Sequence, residues 1–338
     1  MFNAKKILKI VLASMAVVIC ALLIPTHTAA AATEGIYLGG FSAGFVLNTT
    51  QVEVVGLCEV LSIDGVGCPA RDAGICTGDI IEKINECEVK KASDINEIIS
   101  RSYKKFIITV RRGGSILTME IQPKKEAASG TNRIGVLVKD SINGIGTVTY
   151  IDATNKKFAS LGHPVTNQDN TLIEINGGTV YNGLIYDVKK GARGTPGELR
   201  GVIESGREIG TVSVNCQSGV FGDLAKDYDL SNLTKVEVGS VDDVQIGEAT
   251  IYSTVYGKSV EKYKISIAKV DKHSKDNRNF VIKVEDDRLL EKTGGIVQGM
   301  SGSPIVQNGK LIGAVTHVFV NDPTRGYGIA IEHMMNSY

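Results

Sequence analysis

A serine hydroxyl attacks a carbonyl well only in a particular setting. It needs an exposed position on a tight turn, N–H groups aimed at the oxygen that becomes charged, and a base to take its proton. The segment Gly299-Met300-Ser301-Gly302-Ser303-Pro304 has the residue types for the first two. Gly299 and Gly302 allow the turn and a close backbone approach. Ser303 is the competing hydroxyl, but the Gly-x-Ser-Gly-x-Pro spacing puts the nucleophile at Ser301. Positions 304–307 and 311–316 read as strands around an Asn308-Gly309 turn, which is a strong hairpin signal. The serine turn therefore leads straight into a buried hairpin.

The base must come from five histidines. His27 falls in an N-terminal leader, His273 in a polar loop and His333 on a helix-like tail. His317 ends the strand after the serine hairpin, within reach of the site, as a structural or supporting ring. His163 closes a strand in a Gly162-His163-Pro164 turn that exposes its imidazole. Its distance along the chain from Ser301 suits two barrels that each lend one group to a shared cleft. No His-Glu-x-x-His is present and no acidic run has EF-hand spacing, so neither a metal nor a cofactor is expected.

The elements that must position these groups read as mainly β. Gly is abundant, at 38 of 338 residues, and 43% of the chain is hydrophobic, enough for a sizeable core. Lys+Arg and Asp+Glu are equal at 37 each, which leaves no electrostatic footprint for nucleic acid. Residues 1–32 read as a signal peptide or membrane anchor. Lys5, Lys6 and Lys9 precede an uncharged apolar run over 10–24, which is short for a span of about 20 residues, and Ala29–Ala32 offer small residues for cleavage. The remainder is thus expected outside the cytoplasm. Residues 36–122 read as a small α+β domain, with Ser93 capping a helix over 94–102 and a hairpin around Gly113-Gly114. Residues 123–132 read as a polar linker. Residues 133–338 show many short β-type runs, among them 134–138 and 146–151. Turn signals at Asn143-Gly144, Gly177-Gly178 and Asn182-Gly183 separate them, as in an all-β sandwich or barrel. Cys58, Cys68, Cys76 and Cys87 could pair in three ways; the favoured reading is small buried hydrophobes.

Two resemblances sharpen this picture. Ala73-Gly74-Ile75, Gly78-Asp79-Ile80-Ile81 and Ile84-Asn85 resemble the core signature of PDZ domains, which implies a carboxylate-capture loop for peptides at Ser42, Ala43, Gly44 and Phe45. Ala43 departs from that pattern, where a large apolar residue is usual. The serine turn resembles the nucleophile loop of chymotrypsin-like peptidases. Together with 313–324 and Gly326-Tyr327-Gly328-Ile329, it resembles the sporulation stage IV B serine peptidase family, as does Ser160-Leu161-Gly162-His163. That resemblance implies a double-barrel peptidase over 133–338 behind a PDZ domain, with His163 as base and, from the chymotrypsin-like turn, the N–H groups of Gly299 and Ser301 as the oxyanion donors. It also points to an aspartate shortly before the serine, which falls on Asp286. Asp287, Asp187 and Asp223 remain alternatives, and acids at 286–287 equally suit the cap of a short helix. The family further implies an exported endopeptidase in the forespore intermembrane space. It would cut a regulatory membrane-protein subunit, so releasing pro-sigma-K processing, and also its own N-terminal segment. Two other readings are a non-catalytic PDZ adaptor and a general quality-control peptidase.

Overall fold

The computed structural model describes residues 35–338 apart from 102, 103, 168 and 275. The leader expected over 1–32, with Cys20 and His27, lies outside the described residues. No helix among the described residues is long and apolar enough to cross a membrane.

Two closed barrels and one smaller α+β subdomain share a single compact unit. The first barrel has six strands. Around its circumference run Ser42–Leu57, Val136–Asp152, Lys157–Ser160, Gly219–Leu224, Glu198–Cys216 and Ile175–Lys189, and the last pairs back to the first. Alternate residues such as Ala43, Phe45, Leu47, Val148, Phe158, Val180 and Val220 fill its interior, as the period-2 geometry of strands requires. In the second barrel Lys310–Phe319, Pro304–Gln307, Gly247–Ser253, Glu261–Val270, Phe280–Val284 and Asp322–Ala330 close in the same way. Its core includes Ile251, Tyr263, Phe280 and Ile305. The Asn308-Gly309 hairpin forms as expected, with both turn residues at positive φ (52° and 79°).

The expected cut between two successive domains does not hold in space. Residues 36–49, expected in the small domain, belong to the first barrel. Ser42–Leu57 pairs there with Val136–Asp152 on one side and with Ile175–Lys189 on the other. Its far half, together with residues 136–139, enters the small subdomain and packs beside Ile80–Ile84, Phe106–Arg112 and Ser115–Ile121. The small subdomain is thus inserted into the barrel between two strands that run through both. The expected linker is folded as well. Lys124–Lys125 pairs with Asn132–Arg133, and the buried Asn132 donates its Nδ2–H to the Ile99 carbonyl at 3.4 Å.

Several local expectations also change. The run 146–151 and all of 134–138 from Val136 onward belong to one continuous strand, Val136–Asp152. Asn143-Gly144, Gly177-Gly178 and Asn182-Gly183 lie inside strands, not at turns. Gly178 marks a close strand approach: a Cβ there would stand 2.5 Å from the Val46 carbonyl oxygen. The helix is Ala92–Ser100, and Asp94 rather than Ser93 secures its start by accepting from the N–H groups of Lys90 and Lys91. Of the four clustered cysteines only Cys68 is buried; Cys58, Cys76 and Cys87 are exposed thiols. The PDZ-like signature has a clear physical role at Asp79. Fully buried, it accepts two bonds from the Arg112 guanidinium, at 2.6 and 2.7 Å, which holds its carboxyl below the usual carboxylate range.

Candidate active site

The serine turn is fixed by contacts from both barrels. Gly302 lies at φ +93°, and a Cβ there would come within 2.1 Å of the Thr147 carbonyl oxygen and 2.5 Å of the Leu161 nitrogen. No other residue fits. Gly302 N–H donates to the Val315 carbonyl, and Ser303 N–H to that of Met300. From the opposite barrel Thr147 N–H donates to the Ser301 carbonyl at 3.1 Å, Thr147 Oγ1 to that of Gly299 at 2.8 Å, and Thr149 Oγ1 to that of Gly302 at 2.8 Å. Among the described residues no acceptor meets the N–H of Gly299 or Ser301, whereas those of Gln298, Met300, Gly302 and Ser303 are all taken. The two free donors are the two expected for an oxyanion. Ser303 is fully buried and donates to Ser253 Oγ, away from the cavity.

The first barrel delivers His163. The strand Lys157–Ser160 ends, and Leu161 and Gly162 both turn through positive φ (66° and 69°). A leucine there is strained, and such strain concentrates at functional sites. The Leu161 N–H reaches the Thr147 carbonyl at 3.3 Å, so one residue, Thr147, anchors both the serine turn and the histidine turn. Asn215 pins the loop beyond His163, accepting from Val165 N–H and donating to the Val165 and Ile173 carbonyls. Thr147, Thr149 and Asn215 carry no motif. They look like ordinary strand and hairpin residues, and only the tertiary contacts reveal their part.

Ser301, Gly299, His163 and His317 line one cavity of about 910 Å³. His163 Nδ1 lies 2.8 Å from the Pro164 carbonyl oxygen. A carbonyl only accepts, so that bond needs the proton on Nδ1 and leaves Nε2 free as a base. Burial pushes the His163 imidazole below its ordinary pKa, against a smaller opposing effect of the Pro164 bond. The His317 ring stacks at 4.8 Å, tilted 40°, against that of His163. Burial first, then the charges of His163 and Arg278, push His317 down to about 4. The Ser301 hydroxyl donates to the Thr316 carbonyl at 2.8 Å. The structure thus gathers a serine hydroxyl, an imidazole and two N–H groups without an acceptor among the described residues at one cavity, with the hydroxyl turned toward the main chain.

The expected carboxylate is not there. Asp286 caps the helix Asp287–Thr293, accepting from Arg288 N–H, from the Arg288 guanidinium at 3.0 and 3.1 Å, and from Lys264 N–H. Arg288 holds it below the usual carboxylate range. It does not line the cavity, and its oxygens are already committed. Of the alternatives, Asp187 pairs with Arg200, Asp223 with Lys157, and Asp287 starts the helix; none lines the cavity either. The carboxylate on the lining, among the described residues, is Asp276, which sequence reasoning did not single out. No group of three or more metal-ligating side chains occurs among the described residues.

The proposed capture loop is also displaced. Ser42, Ala43, Gly44 and Phe45 open the strand Ser42–Leu57; Ala43, Gly44 and Phe45 have strand partners on both sides, and Ser42 pairs with Thr147 and donates its Oγ–H to the Gly183 carbonyl. Their backbone is used up by the barrel. An open strand edge lies elsewhere. Residues 136–140 pair on one side only, beside the helix Ala92–Ser100. Just before them Gly135 (φ +79°) leaves the N–H groups of Ile134 and Gly135 without an acceptor among the described residues.

The family model described as SpoIVB peptidase S55 matches residues 130–335. A putative zinc metalloprotease of Treponema pallidum (strain Nichols) is 30% identical over 69 residues, which is 20% of this chain and 15% of that relative. Among solved structures, an HtrA-type protease AlgW with decapeptide aligns at 14% identity and a TM-score of 0.35, over 62% of this chain and 53% of that one. The inactive form of the Rv3671c protease aligns at 14% and 0.33, over 57% and 81%. The PDZ domain of an SdrC-like protein from Listeria monocytogenes aligns at 22% and 0.21, over 25% and 90%.

Proposed function

We propose, from the premise that this chain belongs to the SpoIVB peptidase S55 family, that Ser301 is its nucleophile, His163 its base, and the N–H groups of Gly299 and Ser301 its oxyanion donors. Family membership makes the chain a serine peptidase; the roles of individual residues are our assignment. The observation that carries it is the single cavity where Ser301 and His163 meet beside two unclaimed N–H groups. For reaction, Ser301 Oγ rotates off the Thr316 carbonyl toward His163 Nε2, which takes its proton as Oγ attacks a peptide carbonyl. The two N–H groups hold the developing oxyanion. The imidazolium then protonates the leaving amine, and water, deprotonated by the same ring, hydrolyses the acyl-enzyme.

The finer reading is an exported endopeptidase of a spore-forming bacterium. It cuts a regulatory membrane-protein subunit, leading to pro-sigma-K activation, and also its own N-terminal segment. The likeness to the stage IV B family and the leader-like sequence over 1–32 support it. Peptide capture by the PDZ-like subdomain belongs to the open edge at 136–140, not to residues 42–45. The hydrogen bond from Ser301 to Thr316 favours a second reading, a non-catalytic adaptor. Fluorophosphonate labelling separates the two: wild type labels and Ser301→Ala does not. Equal labelling of both, or none of wild type, removes the peptidase assignment. Mass spectrometry of the mature N-terminus tests self-cleavage.

A further inference from the structure

The geometry points to Arg278 as a specificity-determining residue that selects peptides carrying an Asp or Glu side chain within a few residues of the cut bond. This rests on reading the cavity as a peptidase site. Arg278 lines that cavity with Ser301 and His163. Its loop, between the strands Glu261–Val270 and Phe280–Val284, is held at several points. Asp271 N–H donates to the Asn279 carbonyl at 2.7 Å, and Ala330 N–H donates to Asn279 Oδ1 at 2.9 Å. Asn277 Nδ2 donates to the Gln217 carbonyl at 2.7 Å, across to the first barrel. The guanidinium therefore starts from a fixed backbone.

The side chain lies over an aromatic ring. The guanidinium carbon lies 4.9 Å from the Tyr327 ring centroid, and that ring packs on Phe319 at 4.7 Å. Stacking of this kind leaves the edge N–H donors free, and those donors match a carboxylate in two parallel bonds. Arg71, Arg111, Arg112, Arg133, Arg200 and Arg288 each meet a carboxylate within the chain. Among the described residues Arg278 meets none. The other titratable groups on the lining are His163, His317 and Asp276, and no ion pair joins Asp276 to Arg278. Arg278 is close enough for its charge to act on His317, the ring stacked on the proposed base. An acidic side chain of a bound peptide supplies the carboxylate that this arginine lacks.

The test is a proteome-derived peptide library digested by the whole protein as wild type, Arg278→Lys, Arg278→Ala and Arg278→Glu, with cut sites mapped by mass spectrometry. Wild type should enrich acidic residues at one position near the cut, Arg278→Ala should lose that enrichment, and Arg278→Glu should replace it with Lys or Arg. For two peptides differing only as Glu or Gln at that position, the kcat/KM ratio should be about tenfold in wild type, as a charge-assisted bond implies, and near one in Arg278→Ala. Arg278→Lys should fall between. A ratio between peptides cancels any general loss of activity. No acidic enrichment in wild type, or an unchanged ratio in Arg278→Ala, overturns the assignment while fluorophosphonate labelling at Ser301 still stands. Loss of wild-type labelling would instead defeat the peptidase reading beneath it.

Discussion

A histidine that donates Nδ1–H to a main-chain carbonyl is oriented, but no negative charge meets its imidazolium as a carboxylate would. At His163 the Pro164 carbonyl stands at Nδ1, where a carboxylate is usual, and the His317 ring packs against the imidazole. Burial lowers the His163 pKa, so its neutral, basic form persists into more acid solution than that of a free imidazole. The acidic limb of kcat/KM against pH should therefore lie below about 6.5; a limb at or above that value would mean His163 is not the base. His317 has a stability consequence. Its folded pKa of about 4 is depressed, so between about 6.5 and 4 the unfolded chain binds more protons than the folded one. The contribution to stability is full above that window and lost as pH falls through it. His317→Phe, which keeps the stacking but cannot titrate, should flatten the decline of Tm over that range; an undiminished slope would place its origin elsewhere. Ser301 and His163 were legible because each occupies a turn with its own glycine signal. The acceptor at Nδ1 was not, since a backbone carbonyl leaves no trace in side-chain spacing.

Asp286 shows how one residue type can suit two elements. The position shortly before the serine fits a catalytic acid by resemblance and a helix cap by local chemistry, and the structure uses it as a cap. Asp286→Ala, which removes the cap, should then cost about 1 kcal/mol of stability, visible as a drop of a few degrees in Tm, with little change in fluorophosphonate labelling rate. A fall in kcat of a hundredfold or more with Tm unchanged would restore it as the acid. The nucleophile turn offers a sharper case. Gly302→Ala should abolish labelling, because the added methyl collides with the backbone of Thr147 and Leu161; wild-type labelling would show that the turn relaxes freely. The Asn308-Gly309 hairpin could be read directly because a two-residue turn is a local signal. Glycines inside Ile175–Lys189 misled for the opposite reason. Their cause is a neighbouring strand, contributed by residues far away in sequence.

Two strands decide how the whole molecule is divided. Ser42–Leu57 and Val136–Asp152 each run from the first barrel into the PDZ-like subdomain, and the second also carries Thr147, which bonds the serine turn directly. Composition turns polar just before 133 and suggests a boundary there, yet pairing continues across it. A chain starting at 133 keeps every proposed catalytic residue but loses Ala43, Phe45 and Leu47 from the barrel core. It also leaves unpaired the edges of Val136–Asp152 and Ile175–Lys189, the two strands that Ser42–Leu57 joins. Removing large buried side chains costs roughly 2–5 kcal/mol each, comparable in sum to the stability of a whole domain. The fragment 133–338 should therefore fail to label at Ser301 under conditions where 35–338 labels. A synthetic peptide covering 35–57, added in trans, should restore some of the signal by refilling the gap between those strands. Labelling of the bare fragment at the rate of 35–338 would show that the barrel closes without its first strand, and would vindicate the cut that composition suggested.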